Sequence, residues 1–183
     1  MGQDSSDEAL MLRFRAGDAD AFEVLYRRHK GPLYRYMRRQ CGQDALVDEL
    51  FQDVWTKLIQ ARERYRPTAS FKTYLYHIAR NRLVDHYRRQ GAAPATQDAA
   101  ETRLPARASD QPEQHAQTGQ QVQQLLVLLE GLPAEQREAF LLREEAGLAL
   151  ADIASITGVG QETAKSRLRY ALQRLREGLK EWL

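Results

Sequence analysis

The chain has 183 residues, of which 43% are hydrophobic and 28% charged, with a net charge of +2. That composition suits one ordinary domain or two small ones and excludes a chain disordered throughout. The single cysteine, Cys41, excludes an intrachain disulfide and a cysteine-based metal site, and the four histidines (His29, His77, His86, His115) show no zinc-ligand spacing. No metal and no cofactor are therefore expected. A reducing, cytoplasmic location fits the lone thiol. No apolar run approaches the ~20 residues that span a bilayer, so no membrane insertion is expected. The start, MGQDSSDEAL, lacks the pattern of a signal peptide. Its match to M-G-x-x-x-S is too short and degenerate to indicate acylation.

Helical periodicity dominates, and no segment alternates β-branched with polar residues. A first helix is predicted from about Asp7 to Ala16, capped by Ser6 and stopped by Gly17. Asp18 or Asp20 caps the second, which carries Phe22, Leu25, Tyr26, Leu33 and Met37 on one side. Gly31-Pro32 is expected to kink or restart it. Asp44 opens a third helix, with Leu46, Leu50, Phe51, Val54, Trp55, Leu58 and Ile59 at three-four spacing. A loop, Glu63 to Ala69, leads into a fourth helix that reads SFKTYLYHIARNRLVDHYRR from Ser70 to Arg89.

Composition then shifts. Residues 91–119 hold three prolines, one leucine and no aromatic ring, too little apolar area to offset the entropy of ordering them. They read as a flexible linker between an amino-terminal helical domain, 1–90, and a carboxy-terminal one, 120–183. Beyond the linker come VQQLLVLLEGL, then a helix entered at Pro133 and ended near Gly147, then ALADIASITG and QETAKSRLRYALQRL on either side of a glycine-bounded turn. The fold class is all-α: two small helical domains joined by a flexible linker, the second containing a helix-turn-helix. At about 60 residues that second domain is marginal without support from neighbours.

Charge is segregated. Residues 1–90 carry 17 cations against 12 acids, whereas residues 163–176 hold five cations and no acid. Two basic patches on a nearly neutral chain point to an anionic partner met in two places. In the helix-turn-helix, Ala154 is small enough for a close crossing, and Ala164, Leu168, Ala171, Leu172 and Leu175 form the buried face of the second helix. The opposite face presents Lys165, Ser166, Arg167, Arg169 and Tyr170 near its amino-terminal end, where a recognition helix meets base edges and phosphates of duplex DNA. An ordinary helical hairpin with a solvated basic face is the alternative.

The fourth helix mixes rings with cations. Phe71, Tyr74, Leu75, Ile78 and Ala79 form one stripe, while Lys72, Thr73, Tyr76, Arg80 and Asn81 run up another side. Cations along a backbone with rings available for stacking suit single-stranded nucleic acid. Tyrosines sealing a core beneath snorkelling arginines fit equally well. On the third helix Asp48, Glu49, Gln52 and Asp53 stand opposite the apolar stripe, suiting either solubility or docking on a basic protein surface.

Four blocks in order, FRAGDADAFEVLYRRHKGPLYRYM, DELFQDVWTKLI, ASFKTYLYHIARNRLVDHYRR and LPAEQREAFLLREEAGLALADIASITGVGQETAKSRLRYAL, resemble the conserved regions of bacterial sigma factors of the extracytoplasmic-function (ECF) group. The resemblance implies a non-enzymatic subunit that binds core RNA polymerase, directs it to promoter DNA and helps melt the duplex, with an anti-sigma factor as a further partner. It implies that Asp48, Glu49, Gln52 and Asp53 dock on polymerase. The loop from Tyr65 to Phe71 would hold a flipped base of the minus-ten element, with Lys72, Tyr76, Arg80 and Asn81 on that single strand. Lys165, Ser166, Arg167, Arg169 and Tyr170 would read the minus-thirty-five element. Tyr74 stands where the group usually has Trp, the turn at Val159-Gly160 lacks the usual Pro, and Glu162 is an unexpected acid beside the duplex. Two other readings are a stand-alone helix-turn-helix regulator and a nucleic-acid enzyme. The first lacks the βα alternation of an attached receiver domain, and the second lacks any nucleophile–base or metal constellation.

Overall fold

The computed structural model describes residues 5–91 and 114–180. Among them are eight α-helices and no strand: α1 (Asp7–Arg15), α2 (Ala19–Cys41), α3 (Asp44–Gln60), α4 (Phe71–Arg89), α5 (Gln114–Glu130), α6 (Ala134–Glu144), α7 (Leu150–Thr157) and α8 (Gln161–Lys180). A 3-10 turn, Arg62–Arg64, follows α3. The all-α architecture is the one expected, with α1–α4 and α5–α8 as its two helical regions.

The helix starts follow their capping residues. Ser6 accepts from the Ala9 N–H, Asp18 from Ala21 and Ser70 from Thr73, each satisfying an amide that the helix leaves without a partner. Gly42 closes α2 at φ 69°, a left-handed conformation that favours glycine.

Two boundaries differ from the sequence expectation. The helix through Gly31-Pro32 does not restart: α2 is one helix of 23 residues with Pro32 inside it. An interior proline costs a helix about 3 kcal/mol. Here Leu25 and His29 before it, and Leu33, Tyr36 and Met37 after it, are all buried on one face, and that packing offsets the cost. The second difference lies at the linker. Residues 114–119 are already helical in α5, because glutamine and alanine are good helix formers and the leucine-rich stretch after them supplies an anchored continuation. The rest of the expected linker, from residue 92 to 113, lies outside the described residues.

The core runs through both regions. Leu10 and Met11 of α1, Leu25, Leu33 and Met37 of α2, Val47, Leu50, Val54 and Leu58 of α3 and Phe71, Leu75 and Ala79 of α4 join Leu141, Leu142, Ile153, Ile156 and Ala164 of the second region in one buried cluster. Helix α7 packs on α4 and α6 on α2. The small second region thus obtains the neighbouring surface that its size calls for. A separate cluster of Leu129, Leu132, Ala171 and Leu175 ties α5 to α8. There the helices approach so closely that a Cβ at Gly178 would overlap the Leu128 side chain.

Helix α1 is fastened by charge as well. Asp7 accepts from buried His29 at 2.7 Å and from Arg28 at 2.9 Å. The His29 hydrogen bond holds the Asp7 carboxyl below its ordinary value, against the upward pull of partial burial. A lowered carboxyl pKa stabilises the fold fully above the unfolded value of about 3.9, and that contribution disappears as pH falls through the folded value. Asp7→Asn is therefore expected to lower the thermal midpoint by about 2–4 °C at pH 7, and by progressively less below about pH 4. Circular-dichroism melts across pH check this; an equal loss at pH 2.5 and pH 7 contradicts it.

Candidate nucleic-acid interface

Helix α4 places its side chains in three stripes, because successive residues turn by about 100°. Phe71, Leu75 and Ala79 enter the core. Lys72, Tyr76 and Arg80 turn toward the second helical region. Tyr74, Ile78, Asn81 and Arg82 turn the other way and line a cleft of about 550 Å³ whose far wall is Lys57, Gln60, Ala61, Glu63 and Arg64. Arg80 and Asn81, adjacent in sequence and expected on one side, therefore serve different surfaces.

The cleft is built from below. Glu8 of α1 accepts from the Phe71 N–H at 2.7 Å, Arg15 donates to the Tyr65 carbonyl at 3.0 Å, and Ser70 bonds Thr73. These contacts draw the connection between α3 and α4 onto α1. They carry Tyr65 and Phe71 inside, where each is 2% exposed or less. Neither ring can stack on a base, which corrects the expectation for both. Their burial has a cause: Phe71 packs against the His29 ring at 5.1 Å, and Tyr65 lies edge-on behind Tyr74 at 5.1 Å. Burial pushes the Tyr65 hydroxyl up to about 12. Tyr65 thus backs Tyr74, and Tyr74, half-buried at the cleft wall, is the ring that a ligand would meet. Asn81 is exposed beside it.

Lys57, Gln60, Arg64, Tyr74 and Arg82 were not among the residues expected in a site. Helical spacing contains the signal on α4, since Tyr74, Ile78 and Asn81 recur at i, i+4 and i+7. The α3 wall is not legible in the sequence, because only the packing of α3 on α4 sets Lys57 and Gln60 opposite Tyr74 and Asn81. Arg82 also pairs with Asp53 across the helices.

Tyr76 is a third correction. It is 1% exposed, edge-on to Tyr36 at 5.2 Å, and desolvation pushes its hydroxyl well up, with Glu145 of the second region adding to the rise. Lys72 and Arg80 on the same stripe are partly covered: Arg80 donates to Glu138 at 2.9 Å, and a side chain at Gly147 would come within 3.8 Å of the Lys72 ammonium.

In the second region α7 and α8 form the expected helix-turn-helix. Gly158 stands at φ 71°, its N–H and that of Val159 returning to the Ala154 carbonyl. Buried Ala154 and Ala164 give the close crossing. On α8, Lys165, Arg169 and Tyr170 are exposed and Ser166 is partly so, with the Arg169 guanidinium 5.0 Å over the Tyr170 ring. The Lys165 contact to Glu162 is long, 3.8 Å, between two exposed groups, and holds neither firmly. Arg167 departs from this set. Its side chain is 20% exposed and turns back to Glu135 of α6 at 3.0 Å, since position 167 lies on the flank toward the α6 crossing.

On α3, Asp48, Glu49 and Gln52 are exposed, with Asp48 accepting from Tyr34 at 2.9 Å. Asp53 is partly committed to Arg82. Among the described residues no group of His, Cys, Asp and Glu could hold a metal ion, and no helix is long and apolar enough to cross a membrane.

Known proteins share this arrangement. Residues 25–93 match the family model of Sigma-70 region 2, and residues 122–175 that of Sigma-70, region 4. The chain is 31% identical over 171 residues to RNA polymerase sigma factor CarQ of Myxococcus xanthus, covering 93% of this chain and 96% of that protein. It is 32% identical over 170 residues to ECF RNA polymerase sigma factor SigM of Mycobacterium tuberculosis, covering 93% and 83%. In fold it resembles CnrH, solved in complex with the cytosolic domain of CnrY, at TM-score 0.70 and 20% identity over 97% of this chain and 99% of that one. It also resembles sigma factor RpoE of Bartonella quintana, solved with the anti-sigma factor NepR, at TM-score 0.68 and 24% identity over 87% and 96%. Two region models in the right order, and relatives more than 30% identical over 93% of the chain, make it a member of the ECF RNA polymerase sigma factors.

Proposed function

We propose that residues 1–90 dock on core RNA polymerase and take the single strand of the minus-ten element, and that residues 120–183 read the minus-thirty-five element as duplex. The observation that carries the reading is the first half of α8. Lys165, Arg169 and Tyr170 stand exposed directly after a glycine-hinged turn, the position from which a recognition helix reaches phosphates and base edges. Arg167 supports α8 from behind through Glu135.

In the first region the cleft beside Asn81 is the seat of an unstacked base. Tyr74 supplies a stacking face, Asn81 an amide for a Watson–Crick edge, and Lys57 and Arg64 the cations at the cleft, with Lys72 and Arg80 on the neighbouring stripe extending the basic track for the rest of the strand. Flipping a base costs a few kcal/mol, which stacking and hydrogen bonds in the cleft offset. Asp48, Glu49 and Gln52 form the docking face for polymerase, with Asp53 shared between that face and Arg82. The protein acts by binding, without catalysis of its own, in the cytoplasm where core polymerase works. Family membership places an anti-sigma factor among its proposed partners.

Lys165→Ala with Arg169→Ala is expected to weaken duplex promoter binding by about 1–3 kcal/mol and to reduce its salt slope by about 2, with polymerase association intact. Gel shifts at several salt concentrations and a polymerase pull-down measure both; lost polymerase association contradicts the assignment. Asn81→Ala is expected to slow promoter melting by roughly tenfold while duplex binding stays the same, the loss of one hydrogen bond to a base edge. Permanganate reactivity of the melted strand reads this, and unchanged melting rejects the cleft. Glu49→Arg with Gln52→Arg is expected to abolish run-off transcription by reversing the charge of the docking face; full activity in a reconstituted assay rules that face out.

A further inference from the structure

Residues 161–176 carry five cations and a single acid, Glu162, the second residue of α8. Its side chain is 89% exposed. The acids of α6 and the turn after it hold arginines: Glu135 takes Arg167, Glu138 takes Arg80 and Glu145 takes Arg35. Glu162 holds none among the described residues, where its one polar contact is the 3.8 Å approach of the Lys165 ammonium. An acid in the first turn of a helix is favoured by the free amides there. A carboxylate that caps that end accepts from those amides, and this one does not.

Direction is the second observation. Residues turn by about 100° along a helix, so Glu162, Ser166 and Arg169 fall within about 60° of one another, opposite buried Ala164, Ala171 and Leu175. Lys165 and Tyr170 flank this row. Glu162 heads it, about 10 Å from Arg169 along the axis, at the end from which a recognition helix contacts base edges.

We propose that Glu162 is a base-reading residue whose carboxylate accepts from the N4 amino group of a cytosine in the minus-thirty-five duplex, making cytosine the base required at that position. The inference rests on the reading that α8 enters the major groove, and it deepens that reading by naming a base and the residue that selects it.

The chemistry separates cytosine from the other three bases. In the major groove guanine offers O6 and N7 and thymine offers O4, all acceptors that repel a carboxylate. The donors are the amino groups of cytosine and adenine. Adenine sets N7 beside its amino group, so the second carboxylate oxygen meets an acceptor, whereas cytosine has only a C–H beside N4. The phosphates sharpen the choice. A carboxylate brought among them lowers affinity for every duplex, and only a base that donates to it restores what was lost. Lys165 and Arg169 supply the attraction against which this selection operates. The long contact between two exposed groups leaves Lys165 and Glu162 free to take different partners.

The test uses the full chain bound to bacterial core RNA polymerase and a pool of linear DNA duplexes of random sequence, from which bound molecules are recovered and sequenced. A variant with Lys165→Ala and Arg169→Ala identifies the segment that α8 reads, as the one whose enrichment it loses. Within that segment the unaltered chain is expected to enrich cytosine at one position and, on single duplexes, to prefer it about tenfold over other bases, the discrimination of one base contact. Glu162→Gln is expected to move that position alone to adenine, because an amide donates to N7 and accepts from N6. Glu162→Ala is expected to leave the position without preference. A cytosine preference that survives both substitutions, with the segment still lost in the double variant, overturns the role of Glu162 and leaves α8 as the reading helix. Equal tightening on all sequences, with the preference kept, means that the acid only repels DNA and overturns the proposal too. A pool in which no segment depends on Lys165 and Arg169 overturns the reading of α8, and the proposal with it.

Discussion

Helix α4 has no spare face, and the rest of the molecule is arranged around that constraint. A single helix offers about 360° of surface, and three neighbours divide it here. Phe71, Leu75 and Ala79 lock it to α1–α3, Lys72, Tyr76 and Arg80 lie under α6 and the turn after it, and only Tyr74, Ile78, Asn81 and Arg82 remain at an open cleft. A side chain on α4 therefore cannot belong to a packing set and a binding set at once unless a neighbour moves. That is why Tyr74 is the ring left at the cleft, while Tyr65, Phe71 and Tyr76 are absorbed by packing.

The same constraint links the two helical regions. A region as small as α5–α8 gains from leaning on a larger partner, and it does so through apolar contacts continuous with the first core. The polar part of the seam is made of acid–arginine pairs rather than more leucine.

Much of this was legible in the sequence. Ser6, Asp18 and Ser70 marked helix starts, Gly17 and Gly158 marked ends, and the three-four spacing of α3 and the small residues Ala154 and Ala164 announced how helices would cross. Four ordered blocks identified the sigma-factor regions. What misled was residue type taken without direction. Tyrosine suits a core and a stacking platform equally, so Tyr76 could be assigned to DNA when Tyr36 and Glu145 in fact enclose it. Arg167 sits among cations in sequence, but the α6 crossing turns it toward Glu135. Pro32 looked like a break because local propensity cannot register the buried face that spans it.

By itself, then, the sequence determined the helices, their caps, the division into two regions and the family, because each depends on spacing within one segment of chain. Only the tertiary structure decided which cations are free. Lys165 and Arg169 stand exposed, while Arg80, Arg35, Arg39 and Arg167 are held by acids lying as many as 110 residues away in the chain. Those acids look like ordinary surface charge on α6 until the fold sets them opposite the arginines. A charge pair is made by distance in space, and no periodicity within a single helix encodes that distance.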